Sequence, residues 1–94
     1  MPPPPAGFVT DRSGVLSVAG RGALEQRLRE FEAATSNQFL VYIEPRLPDG
    51  TTLEEYTIAA ARAWRVGQKA RNNGLVFFVF PQSRVARFDV GYGL

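Results

Sequence analysis

At 94 residues the chain has room for one small domain, and 45% hydrophobic with 21% charged residues is a globular composition rather than a disordered one. It holds no Cys and no His, which excludes disulfides, iron–sulfur clusters, zinc sites built on thiolate or imidazole, and any catalytic triad that needs His. Ten Arg and one Lys against three Asp and six Glu leave a net charge of +2 and a pI near 9.5, a slight lean toward anionic partners.

The chain opens on four consecutive prolines, Pro2 to Pro5, followed by Ala6-Gly7. Residues 1–7 read as an extended polyproline linker with no packing of its own. Phe8 to Leu16 leads into a first helix, predicted over residues 18–34 with Ser17 as N-cap and with Leu24, Leu28 and Phe31 on one stripe. Gly20 and Gly22 weaken its first turns, and Thr35-Ser36-Asn37 ends it. Phe39-Leu40-Val41-Tyr42-Ile43 is β-branched and aromatic, hence a strand. Pro45 to Gly50 is a loop. Thr51 with Glu54 forms a capping box for a second helix, predicted over residues 52–65, whose buried stripe is Leu53, Tyr56, Ala60, Ala63 and Trp64.

A polar connection, Val66 to Gly74, then reaches Leu75-Val76-Phe77-Phe78-Val79-Phe80. This run does not alternate, as expected of a strand buried on both faces. Pro81 to Arg84 is a hairpin-length turn, and residues 85–90 are a strand that does alternate. The predicted order is α-β-α-β-β: an α/β fold with a mixed three-stranded sheet and helices on its faces. The first two strands are joined by a crossover and the last two by a hairpin. The longest apolar run is six residues, against the roughly 20 of a membrane helix, and no export signal is recognisable.

Phosphate-loop and EF-hand spacings are absent. Arg62, Arg65, Lys69 and Arg71 form the densest basic cluster, at and beyond the end of the second helix. It suits phosphate or anionic lipid, and equally a solvated helix end that complements the dipole. With Trp64 as the only aromatic beside it, no nucleic-acid partner is expected. Asp11, Asn72, Asn73 and Asp89 lie in loops or near strand ends and supply the oxygen ligands that calcium or magnesium takes, or else shape turns. No catalytic residue is assignable from the residues alone.

Three segments together resemble the TPM domain family. They are Val9-Thr10-Asp11-Arg12-Ser13-Gly14-Val15-Leu16-Ser17 ahead of a helix; Ala63-Trp64-Arg65-Val66-Gly67-Gln68-Lys69-Ala70-Arg71-Asn72-Asn73-Gly74-Leu75 leading into an apolar strand; and Arg87-Phe88-Asp89-Val90-Gly91-Tyr92-Gly93-Leu94. The resemblance covers residues 8–94. It implies an α/β/α sandwich in an extracytoplasmic protein, periplasmic or in the cell envelope, tethered to a membrane by segments outside the domain. It also implies either acid phosphatase activity assisted by a divalent metal or a role in protein binding, assembly or repair.

Two departures bear on that choice. Asn72 stands where the family carries Asp, which removes a negative charge from a cation site and predicts weak or absent calcium affinity. The family domain also continues beyond Gly-Tyr-Gly-Leu, so residues 8–94 are expected to be its N-terminal portion. The reading that follows is a module for binding or assembly with a protein partner. The alternatives are a metal-assisted phosphatase using Asp11 and Asn72, and an anion-binding module using the basic cluster. Because the run from Leu75 to Phe80 needs cover on two faces and the stripe of the first helix is narrow, apolar surface is expected to remain exposed and to drive homo-oligomerisation.

Overall fold

A computed structural model describes residues 7–64 and 73–90. Its element order is β1 (Val9–Asp11), α1 (Val18–Thr35), β2 (Asn37–Ile43), α2 (Leu53–Ala63), β3 (Asn73–Phe80), a 3-10 turn (Pro81–Ser83) and β4 (Val85–Val90). The α/β class is as expected, but the sheet has four strands in the order β1-β2-β3-β4. The additional strand is Val9–Asp11, read from sequence as a lead-in. Three residues carry no usable alternation, and the strand exists because β2 offers it a parallel ladder, Val9 opposite Val41 and Asp11 opposite Ile43.

Two features hold β1 in place. The Phe8 N–H donates to Glu25 Oε1 at 2.6 Å and the Val9 N–H to Glu25 Oε2 at 3.0 Å, so one carboxylate on α1 grips the start of the strand. Gly7 permits this approach: a Cβ there would lie 2.8 Å from Glu25 Oε1. Arg29 of α1 also lies over the Phe8 ring, 5.9 Å from its centroid.

Helix α1 starts at the expected cap, with Ser17 Oγ accepting from the Gly20 N–H at 2.9 Å. It ends at Ser36, which takes the left-handed conformation at φ 63°. It packs on β1 and β2, with Leu28 its buried residue. Helix α2 begins one residue later than predicted. Thr52, not Thr51, is the N-cap: its hydroxyl accepts from the Glu55 N–H, and the Glu55 carboxylate accepts from the Thr52 N–H, both at 3.1 Å. Thr51-Thr52 and Glu54-Glu55 offer the same box in two frames. The later frame places Thr57, Ala60 and Ala61 inward and leaves Ala63 exposed.

β2 and β3 are parallel from Asn37–Asn73 to Ile43–Val79, and β3 and β4 are antiparallel from Phe80–Val85 to Leu75–Val90. Residues directly opposite one another share a face. One face therefore carries Leu40, Tyr42, Val76, Phe78 and Phe80, which form the core with Ala60 of α2. Leu53, Tyr56 and Trp64 pack against it, Trp64 stacking on Phe78 at 5.6 Å and Tyr56 meeting Phe80 edge-on at 5.8 Å. Small residues at 57, 60 and 61 let α2 lie close to β4.

Candidate functional site

The alternation of β4 is oriented in a way that its sequence does not disclose. Val85, Arg87 and Asp89 share the face covered by α2, because they lie opposite Phe80, Phe78 and Val76. Asp89 is 7% exposed, and both its oxygens accept from Arg87 Nε at 3.2 Å. Burying a carboxylate is costly unless a partner neutralises it, and Arg87 is that partner. The opposite face receives Ala86 and Phe88, facing Val79 and Phe77. Phe88 is 56% exposed. Its ring stacks on Phe77 at 4.3 Å and meets Phe39 edge-on at 6.3 Å. The charged side of β4 is thus turned inward and its aromatic side outward. Phe39, Phe77 and Val79 are half-buried, which extends an apolar face across β2, β3 and β4.

A second, polar cluster lies where ligands gather in parallel sheets, at the carboxyl ends of β1 and β2. Glu44 Oε1 accepts from the Tyr42 hydroxyl at 2.9 Å and from the Tyr56 hydroxyl at 2.8 Å. Arg12 Nη1 donates to the Tyr42 oxygen at 3.5 Å. Burial first, and then the bond to Glu44, push the Tyr42 phenol up to about 12. The same two causes, in the same order, raise Tyr56 well above the ordinary phenol range. The Arg12 guanidinium is raised by its bond to the Tyr42 oxygen. The two phenols are proton donors fixed on one carboxylate, and they tie α2 to the end of β2. This cluster was not foreseen: Tyr56 lies 12 residues beyond Glu44, and only the crossover through α2 brings it to Tyr42 and Glu44.

Asp11 also sits at this end, and its carboxylate is occupied. Oδ1 accepts from the N–H groups of Ser13 (3.1 Å) and Gly14 (2.9 Å) and from the Ser13 hydroxyl (3.2 Å), while Oδ2 accepts from the Leu16 N–H at 2.8 Å. Desolvation works to raise its pKa, but the amides of Leu16 and Ser13 outweigh it and hold the carboxyl below its ordinary value. Gly14, at φ +71°, supplies the left-handed residue that turns the loop.

The other candidate ligands are elsewhere. Asp11 is level with Val79 through Ile43, whereas Asn73 is six ladder positions away, about 20 Å along the strands. Asp89 lies opposite Val76 and is paired with Arg87. Asn72 lies outside the described residues. So do Arg65, Lys69 and Arg71 of the basic cluster, leaving Arg62, exposed in the last turn of α2. Among the described residues no three carboxylates are grouped to hold a metal ion, and no helix is long and apolar enough to cross a membrane.

Comparison with known proteins agrees with this architecture. The solution NMR structure of the N-terminal domain of a protein from P. gingivalis superposes with a TM-score of 0.80 at 38% identity, over 93% of this chain and 55% of that one. The chain therefore spans about half the length of that relative. No curated protein matches. The family model of the TPM domain matches residues 9–94, which takes in all seven elements described above and the three segments that carry the resemblance. On that match the chain belongs to the TPM domain family.

Proposed function

We propose that this TPM domain is a binding and assembly module, and that the open face of its sheet is the docking surface. The observation that supports this most directly is the orientation of β4. Phe88 is exposed and stacked on Phe77, while Arg87 and Asp89 occupy the covered side. Leaving aromatic area in water forgoes roughly 25 cal/mol for each Å² that a partner would bury, and large apolar patches mark interaction sites. We assign the domain to an extracytoplasmic, membrane-associated protein, on the family resemblance.

A fluorescent dye that reports apolar surface tests the face. It is expected to bind the native chain and to lose most of its signal in Phe88→Lys, with the fold retained by circular dichroism. Equal dye binding by both proteins would remove the basis of the proposal.

The phosphatase alternative makes a different prediction. It requires divalent-dependent hydrolysis of a chromogenic phosphate ester that disappears in Asp11→Asn. The module reading expects turnover at background for both proteins, with no micromolar calcium or magnesium site by titration calorimetry.

A further inference from the structure

We propose that Asp49-Gly50 is a site of spontaneous backbone isomerisation in the folded chain, yielding isoaspartate, and that the fold protects Asn73-Gly74, the more reactive pair in an unfolded chain.

The chemistry needs a side-chain carbonyl followed by an amide nitrogen that no Cβ shields, so Asp-Gly and Asn-Gly pairs are the reactive ones. The sequence holds one of each, Asp49-Gly50 and Asn73-Gly74. In both, the glycine nitrogen attacks Cγ of the preceding residue and closes a five-membered imide. An Asp loses water in that step and an Asn loses ammonia. Water then opens the ring at either carbonyl. Opening at the former main-chain carbonyl gives isoaspartate, which adds one methylene to the backbone. No oxidant or cofactor takes part. An amide is a better electrophile than a carboxylate, so sequence alone ranks Asn73 first.

The fold reverses that order. Asn73 lies opposite Asn37 in the parallel ladder of β3 with β2, and Gly74 lies opposite Gln38 and is buried. A parallel strand holds ψ at about +115°. At that angle the glycine nitrogen is turned away from the ring closure, so Asn73 has to leave the ladder before it can react.

Asp49-Gly50 stands instead in the loop between β2 and α2, with both residues exposed. Gly50 takes φ +83°, a region that glycine enters without steric cost. The space around it is open, since a Cβ built there would meet nothing within 4 Å. Among the described residues the Gly50 N–H donates to no loop carbonyl and the Asp49 carboxylate forms no ion pair. Asp11 shows the contrast, its oxygens held by four hydrogen bonds from its own loop. The Asp49 loop also follows the carboxyl end of β2, whereas residues 65–72 and 91–94 adjoin Asn73 and Val90 at the amino end of β3. The reactivity of Asp49 thus does not depend on what covers either face of the sheet.

Isomerisation lengthens the main chain between Pro48 and Thr51, beside the Thr52 cap of α2. The carboxylate it creates is the substrate of carboxyl methyltransferases that act on isoaspartate, which places this loop upstream of that class of repair reaction.

Trypsin separates the two pairs, on residues 47–62 and residues 72–84. The first peptide has no other Asp or Asn, so isoaspartate in it comes from Asp49. The unmodified chain is kept for several weeks at neutral pH and physiological temperature, folded and in urea, then digested. Fragmentation mass spectrometry and methylation by purified isoaspartyl methyltransferase read the isoaspartate in residues 47–62, and the mass gain of residues 72–84 reads deamidation. The folded chain is expected to isomerise at Asp49 within about threefold of the rate in urea, because an exposed loop needs little opening. Deamidation of Asn73 should be about tenfold slower folded than in urea, because the ladder must open first. Asp49→Ala should abolish isoaspartate in residues 47–62 and leave residues 72–84 unchanged. Residues 47–62 staying free of isoaspartate in the folded chain while it accumulates in urea overturns the site. Deamidation of Asn73 as fast in the folded chain as in urea overturns the protection.

Discussion

Asp11 accounts for the loop between β1 and α1 almost alone, because its two oxygens accept four hydrogen bonds. Asp11→Ala is expected to cost about 1–3 kcal/mol in denaturant unfolding. Its pH signature has a definite sign. A carboxyl held below 3.8 in the folded state contributes stability above that value, and the contribution is lost as the pH falls through the depressed pKa. Asp11→Asn should therefore flatten the acid limb of the stability profile. The two phenols on Glu44 act at the other end of the scale. Tyr42 is raised from 10.0 to about 12, so its share of stability is complete below pH 10 and is lost as the pH rises toward 12. Following phenolate absorbance and circular dichroism together should show ionisation of Tyr42 and Tyr56 delayed beyond the ordinary range. Glu44→Gln should bring that ionisation to lower pH.

At the level of elements, the caps decide where helices begin. Thr52→Ala removes the hydroxyl half of the capping box on α2, leaving the backbone N–H that donates to Glu55, and is expected to destabilise the chain by about 1 kcal/mol. Thr51→Ala, one residue earlier, should cost distinctly less, and equilibrium unfolding of the pair would verify the frame. These residues also show what can be read from the chain without its fold. Ser17, the stripe at Leu28 and the limits of β4 were legible because cap chemistry and side-chain period are local properties. β1 was not, since three residues hold no period and the strand is made by its neighbour β2 and by Glu25. The frame of the capping box was ambiguous because adjacent Thr and adjacent Glu satisfy it twice. The alternation of β4 was plain, but which side faces inward depends on where α2 lies. Local pattern pairs Phe88 with the interior, whereas the helix covers Arg87 and Asp89 instead. The polar cluster of Tyr42, Glu44 and Tyr56 was hidden for the same reason, being created by the crossover.

For the molecule as a whole, the sheet is asymmetric in its cover. α2 seals one face over β3 and β4, whereas on the other face Phe88 is exposed and Phe77 half-buried. Adding Lys at position 88 should reduce apolar dye binding and raise solubility with little loss of stability, because it removes exposed rather than buried area. By contrast, Phe78→Ala on the sealed face removes a ring in contact with both Tyr42 and Trp64 and is expected to cost about 3–5 kcal/mol. That loss would approach the total stability of a domain this small. Thermal unfolding of the two variants separates the faces.

The order of strands across the sheet, β1-β2-β3-β4, is also their order along the chain. Each strand after the first finds its neighbour in the strand made just before it. Chains emerge from the ribosome N-terminus first and fold as they lengthen. Here β2 can close on β1 before β3 has been synthesised, and β3 on β2 before β4. Among the described strands none has to be inserted between two already paired. These four can be built outward by accretion at one growing margin, with the Phe88 strand the last of the four.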